Sequence, residues 1–416
     1  MPGQRSKSSI SLGEAVTIAT ASLWAHKMRT VLTLLGVVIG VTAVIAVVSL
    51  VGGLNTYVAN AISNNLGADT FLINRASSII SNVNQWQEAQ KRRKLRYDDY
   101  SYLLDNCHTC RNVAADLNTV GDVKYDTQDL SATDIIGFTY QMPEVYKRDL
   151  AMGRYFTRMD ELRSAPVCDV GYDIWNKLMP GSNPLGKEIR VGSGECEIIG
   201  VATKRGSLMG QSEDDWVIMP LTTYQTIYGS NNSLTLWAKA YSTKTLQTTM
   251  DEVRLLLRGR RHVPYLKPDD FAMETNQSFL QLWSSISSTF FGVTIGIASI
   301  SLIVGGIVIM NIMLVSVTER TREIGLRKSL GARRADIQKQ FLIESSTIAA
   351  IGGSIGVALG ILLAKIVTWT TALPSSVALW SVLMGLIVAI SVGLFFGVYP
   401  ATKAARLDPV VALRSE

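Results

Sequence analysis

Hydrophobic and polar positions are arranged along this chain on two length scales. Residues 31–51, 290–317, 345–364 and 372–400 contain no Asp, Glu, Lys or Arg. Each run reaches the ~20 residues that carry a helix across a hydrocarbon core. Between the first two runs the pattern shortens: 70–73, 233–240 and 271–275 read as strands, and 246–257 has the apolar spacing of an amphipathic helix. Residues 166–170, 187–191 and 195–201 read as further strands between Gly and Pro turns, within a β-rich stretch at about 97–229. Residues 55–64 continue the first span as helix, and 276–290 lead into the second. The pattern predicts an α-helical membrane protein with four transmembrane helices plus an extracytoplasmic α/β domain. That domain has two subdomains, a β-rich insert and a mixed unit made of the flanking pieces, and stands on a helical stalk.

Charge fixes the orientation. Arg5, Lys7, Lys27 and Arg29 precede the first span, Arg320, Arg322, Arg327, Lys328, Arg333 and Arg334 lie between the second and third, and Lys403, Arg406 and Arg414 follow the fourth. The link at 370–377 has no Lys or Arg, so the positive-inside rule predicts cytoplasmic termini and a cytoplasmic middle loop. The predicted order is an N-terminal cytoplasmic segment (1–30), a first span (31–53), an extracytoplasmic domain with its stalk (54–284) and a second span (285–317). A cytoplasmic coupling segment (318–340), a third span (341–367), a short outer loop (368–377), a fourth span (378–400) and a cytoplasmic tail (401–416) complete it. A cell membrane, crossed four times with both termini cytoplasmic, is the expected location.

Composition changes this picture little. The chain has 416 residues, 47% hydrophobic and 18% charged, and mean hydropathy +0.21, so its apolar residues must be gathered in blocks. Four long uncharged runs do not suit a soluble core, and the first lacks the small-residue cleavage pattern of a signal peptide. The net charge of +6 sits largely beside membrane ends, which points to anionic lipid headgroups rather than nucleic acid. Ser11-Leu12-Gly13-Glu14 has capping-box spacing ahead of helically spaced apolar residues. It reads as an amphipathic helix on the inner surface with Trp24 at headgroup depth, or as a solvated arm.

Gly181-Ser-Asn-Pro-Leu-Gly186-Lys187 fits the glycine and lysine positions of a phosphate-binding loop, but Glu188 stands where a magnesium-binding hydroxyl belongs. It reads as a turn between strands, and ATP hydrolysis is expected on another polypeptide. Cys107, Cys110, Cys168 and Cys196 all fall in the outer segment, where disulfides persist. Two bridges are expected, with Cys107–Cys110 and Cys168–Cys196 preferred among three connectivities. A metal site at Cys107, His108 and Cys110 lacks a second ligand pair, and a thioredoxin-like role lacks its preceding strand. Asn311, inside the second span, calls for a hydrogen bond across helices, across a dimer interface or within its own helix. Gly352 and Gly356 give one GxxxG spacing.

The segment 318–332 offers a short charged helix with Ile324, Leu326 and Leu330 as apolar anchors. Glu319, Arg320, Arg322, Glu323, Arg327 and Lys328 could set its register on a soluble partner. A solvated loop whose charges only set topology is the competing reading. The sequence Met310-Asn-Ile-Met-Leu-Val-Ser-Val-Thr-Glu-Arg-Thr-Arg-Glu-Ile-Gly-Leu-Arg-Lys-Ser-Leu-Gly-Ala332, followed by Gln340-Phe-Leu-Ile-Glu344 and Gly352-Gly353, resembles the second-to-third-span region of the MacB family of macrolide and peptide exporters. Residues 26–40 resemble that family's first span and 399–414 its closing segment. Gly153-Arg154-Tyr-Phe156, Pro184-Leu-Gly-Lys187 and Ile198-Ile-Gly-Val201 are similar to its extracytoplasmic core, whereas Cys107-His-Thr-Cys110 is outside the pattern.

The resemblance implies a dimeric, non-enzymatic permease without its own cofactor. Its segment Glu319 to Ala332, including Gly325 and Gly331, would engage a separate ABC ATPase that holds ATP and Mg. ATP-driven closure would then be passed outward through the stalk to drive efflux of a drug, peptide or amphipathic substrate. A second permease copy or homologue, a periplasmic adaptor and an outer-membrane channel are the further partners implied. The alternative is mechanotransmission without export, as in FtsX and lipoprotein-releasing relatives: lipoprotein release, hydrolase regulation or peptide sensing. Neighbouring genes for an adaptor, or for a hydrolase or histidine kinase, would separate the two.

Overall fold

The computed structural model describes residues 27–78, 83–146, 148–208, 210–371 and 373–414; the expected amphipathic segment with Trp24 lies outside them. The chain divides into two compact units, 1–56 with 286–416, and 57–285.

The first unit is helical. Its elements are α1 (Lys27–Asn65), α2 (Asn276–Glu319), α3 (Thr321–Ser329), α4 (Arg334–Thr371), α5 (Leu379–Arg406) and α6 (Pro409–Arg414), of which α1 and α2 continue into the other unit. Helices α1, α2, α4 and α5 are long and apolar enough to cross a membrane. Helices α1, α2 and α4 extend beyond their charge-free runs at both ends, and α5 begins within its run and passes the end of it, because helical hydrogen bonding continues through polar residues after the hydrocarbon ends. Val37, Val41 and Ile45 of α1 pack with Ile309 and Met313 of α2, Phe341 and Ile348 of α4 and Ala389 of α5.

Small residues set the spacing. A Cβ on Gly36 would stand 2.6 Å from Gly305 Cα, so the crossing of α1 and α2 admits no side chain at either position. The Gly352/Gly356 stripe also faces α1: a Cβ on Gly356 would lie 2.9 Å from the Val41 Cβ, and Thr42 Oγ1 donates to the Gly356 carbonyl at 3.1 Å. This GxxxG spacing therefore packs helices of one chain together.

The second unit is built on one ten-stranded sheet. Its strands are β1 (Thr70–Asn74), β2 (Cys110–Tyr125), β3 (Gln128–Phe138), β4 (Leu150–Gly153), β5 (Val167–Val170), β6 (Glu188–Val191), β7 (Gly194–Ala202), β8 (Trp216–Pro220), β9 (Thr235–Ala240) and β10 (Ala272–Thr275). The order is β10-β1-β9-β2-β3-β8-β5-β7-β4, with β6 bridging β2 and β7. Pairs β3/β8 and β5/β7 are parallel and the others antiparallel. β9, from the flanking sequence, pairs with β2 of the β-rich insert, Ala238 opposite Val113. The division inferred from sequence therefore marks no break in the sheet.

The two-residue period of β2 sorts its side chains. Val113, Ala115 and Leu117 join the core that includes Phe71, Ile135 and Leu236, with Leu103 and Leu257 from the covering helices Tyr97–Asn106 and Leu246–Arg260. Ala114 joins Phe138, Phe156, Trp216 and Ile218 in a separate cluster. The Arg261 side chain is fully buried and bonds Asp99 at 3.1 Å and Asp270 at 2.8 Å, which ties the end of helix Leu246–Arg260 to helix Tyr97–Asn106.

Candidate coupling site

The connection between α2 and α4 is held by its own chain on three sides. Glu319 ends α2, and Arg320, at the N-cap of α3, leaves helical geometry with φ −102° and ψ 15°. This break turns the chain by one residue and aims the Arg320 guanidinium at α4, where Nη1 lies 3.4 Å from Glu344 Oε1. Four residues apart on one face of α3, Glu323 and Arg327 form an ion pair. Arg327 Nη1 also donates to Gln340 Oε1 of α4 at 2.7 Å. Two polar ties thus join this region to the first turns of the third span.

The second side is α5. Ile324 is buried with Val317, Ile337, Ala401, Ala404 and Ala405. Lys328 Nζ donates to the carbonyls of Ala405 at 2.8 Å and Leu407 at 2.6 Å, so a cation satisfies acceptors left open where α5 ends. Burial, then the neighbouring Arg334, pushes the Lys328 ammonium below its usual range, while Asp408 opposes them. The third side is α6, started by Asp408, whose carboxylate accepts from the Val410 amide, and by Pro409. A Cβ on Gly325 would stand 2.7 Å from the Ala412 Cβ, so α3 and α6 touch where a side chain is missing.

The turn into α4 is closed locally. Gly331, at φ +98°, donates to the Lys328 carbonyl at 3.1 Å and Ala332 to the Arg327 carbonyl at 3.0 Å, a helix ending that favours glycine. The helix within 319–332 therefore spans only Thr321–Ser329. Of the three expected anchors, Ile324 is used inside the chain, while Leu326 and Leu330 face outward with exposed Arg322 and Glu323.

The other candidates lie elsewhere. Asn311 is on the exposed face of α2 and makes no side-chain hydrogen bond among the described residues. Cys107 is bridged to Cys110 (Cα–Cα 5.4 Å) and Cys168 to Cys196 (Cα–Cα 5.8 Å). The Glu252 carboxylate accepts from the His108 and Thr109 amides and so clamps the first bridge's loop; burial opposes ionisation there, but these bonds and Thr109 Oγ1 hold its pKa below the usual carboxylate range. The glycine-lysine turn follows a helix, Tyr172–Leu178, rather than a strand, and leads into β6. Its Lys187 donates to Ser182 Oγ at 2.8 Å and lies over the Tyr125 ring.

The roles of Gln340, Glu344 and the 409–414 segment do not follow from the charged helix alone. Two polar residues at the start of an apolar helix, and Asp408-Pro409 as a helix-start signature, are the signals that mark them.

Four helices long and apolar enough to cross a membrane, with a short helix braced between the second and third, and a separate ten-stranded sheet unit define a polytopic membrane protein with a large α/β domain. Residues 30–256 match the MacB-like periplasmic core domain and 295–409 the FtsX-like permease C-terminal domain. The chain belongs to the MacB-like permease family. It is 32% identical to the macrolide export ATP-binding/permease protein MacB of Bdellovibrio bacteriovorus, over 95% of this chain and 60% of that protein. It is 35% identical to the Marinobacter nauticus protein of the same name, over 97% and 61%. The chain thus spans about three fifths of the length of these relatives. Among solved structures, the periplasmic region of MacB from Actinobacillus actinomycetemcomitans aligns over 52% of this chain and 93% of that one, with 16% identity and TM-score 0.43.

Proposed function

We propose that the chain is the permease subunit of an ABC transporter that couples ATP hydrolysis on a separate nucleotide-binding subunit to movement of its extracytoplasmic domain, for efflux of a drug, peptide or other amphipathic substrate. The observation that carries this is the bracing of α3. One face is tied to α4 through Arg327–Gln340 and to α5 through Lys328, while Leu326, Leu330 and Arg322, with Glu323 in its ion pair to Arg327, are exposed on the other. A push on that outer face passes to two spans through short polar contacts. ATP and magnesium belong to the partner, and a second copy of the permease completes the assembly, with the exposed Asn311 available to it. On this reading α3 and both termini are cytoplasmic and 54–284 lies outside the inner membrane, which the Lys and Arg residues flanking the spans support. The names of the relatives, which join ATP-binding and permease functions, support this reading.

The match of 295–409 to the FtsX-like domain supports a second reading, in which the same coupling drives mechanotransmission without export. The test of the shared step is Glu323→Ala and Arg327→Ala. Either variant is expected to reduce copurification of the ATPase subunit several-fold, or to leave hydrolysis running without transport. Normal binding and normal coupling in both would remove the docking role.

A further inference from the structure

Helix α1 carries two adjacent glycines, Gly52 and Gly53, within 39 continuous helical residues. Glycine weakens a helix interior more than any residue but proline, so such a pair marks a close approach rather than a helix signal. The approach is made by residues 373–378, the link from α4 to α5. A Cβ on Gly53 would stand 2.7 Å from Ser375 Cα and nearer still to the Pro374 carbonyl, and one on Gly52 would lie 3.0 Å from Ser376 Oγ. The Ser376 amide donates to the Ser49 carbonyl at 2.9 Å, which ties the link to the main chain of α1 itself. Pro374 brings no amide hydrogen that this seat would have to satisfy. Thr368 Oγ1, near the end of α4, donates to Ser375 Oγ at 2.8 Å, and the link enters α5 at Leu379. Exposed Trp369 and Trp380 flank it, a residue type that favours the level of the lipid headgroups.

Away from the seat, α1 lies against α4 turn by turn. As at Gly356, a Cβ on Gly352 or Gly360 would meet α1, 3.1 Å from Leu34 Cδ2 and 2.8 Å from Ile45 Cβ. α4 is also the helix that Arg320 and Arg327 reach through Glu344 and Gln340. α2 is tied to α1 by Ser287 Oγ, which donates to Asn55 Oδ1 at 2.9 Å, but at Gly292 and Gly296 a Cβ would meet nothing within 4 Å among the described residues.

We propose that the α4–α5 link is a clasp on α1. Seated on Gly52 and Gly53, it makes α1 the span that follows the third and fourth spans, and α1 carries their displacement to β1. Gly53, Pro374 and Ser376 are its positioning residues. This rests on the reading of α3 as the coupling helix and names the point at which the pushed spans take hold of the stalk. A clasp transmits only while closed, so the link stays on α1 throughout the cycle.

The test uses the full chain purified with its nucleotide-binding subunit in nanodiscs of phosphatidylethanolamine and phosphatidylglycerol. It reads copurification, ATP turnover, and the change in deuterium uptake of residues 57–74 and 272–285 on adding ATP and vanadate. Gly53→Val puts a side chain into the seat. Gly52→Cys/Ser376→Cys staples the link to α1 by a disulfide within reach of these positions, and Cys107, Cys110, Cys168 and Cys196 are already paired with one another. Gly53→Val should keep copurification and turnover within twofold of the wild type and lose at least four fifths of the uptake change. The stapled chain should keep that change, as should each single-cysteine variant. A normal response from Gly53→Val, or its loss in the stapled chain alone, overturns the clasp and leaves the α3 reading standing. Loss of turnover in parallel with the response marks a seat that only supports folding, and overturns the clasp as well. If Gly53→Val does not accumulate, the stapled chain decides alone. A wild-type chain that retains no nucleotide-binding polypeptide, or whose uptake ignores ATP, overturns the coupling reading and this inference with it.

Discussion

Asp169 carries a stability cost that can be measured directly. It is fully buried in β5, and neither carboxylate oxygen has a hydrogen-bond partner among the described residues. Burial pushes its pKa up to about 8; the Arg154 guanidinium opposes this and Asp160 adds to it. The folded state therefore holds a proton that the unfolded chain releases near 3.8. The contribution of this group is fully present below pH 4 and is lost as the pH climbs through 8. At ~1.4 kcal/mol per pKa unit, Asp169→Asn, whose amide is buried at a cost like that of the protonated carboxyl, should gain at least about 2 kcal/mol above pH 8. Melting of the detergent-solubilised chain at pH 4 and pH 8.5 checks this: the variant should melt a few degrees higher at the alkaline pH and together with the wild type at the acid one. A uniform shift at both would show that the carboxylate is not titrating.

Among the elements, α3 and α4 depend on polar contacts at the edge of an apolar bundle. Arg320→Gln removes the guanidinium beside the buried Glu344 carboxylate, a change expected to cost about 2 kcal/mol. Adding Glu344→Gln removes the charge that needed it and should recover more than half of the loss. Thermal stability of the two single variants and the double variant gives the coupling, and simple additivity would show that the pair is incidental.

The spans were legible in the sequence because 20 or more uncharged residues have few soluble alternatives. The strands β1, β5, β6, β7, β9 and β10 were legible because each is a short apolar run between turn residues. The longest hairpin was not: β2 carries Arg111, Asn112, Asp116, Asn118, Asp122 and Lys124, and its pairing with β3, β6 and β9, not its apolarity, makes it a strand. At the coupling site the charged helix was legible, but the way Leu326 and Leu330 face depends on where α5 and α6 end, which periodicity within 319–332 does not contain.

At the scale of the whole molecule, all four cysteines lie in the sheet unit, and both bridges join segments that the fold has already brought together. Cys168 and Cys196 come from neighbouring parallel strands, while Cys107 and Cys110 close a turn between a helix and β2. Intact protein should resist alkylation until reductant is added. The first bridge should open ahead of the second, because Cys168 and Cys196 are almost fully buried and Cys107 is only half-buried. Four thiols reactive without reductant would contradict both pairings.

The sheet also joins the two ends of its own unit. β1 follows α1, β10 runs directly into α2, and these two strands are hydrogen-bonded neighbours, Phe71 opposite Thr275. Asn276 Nδ2 adds a bond to the Leu66 carbonyl at 2.8 Å. Sliding the start of one of these helices lengthwise past the end of the other would unzip a row of amide pairs, so at the sheet the two cannot act as independent pistons.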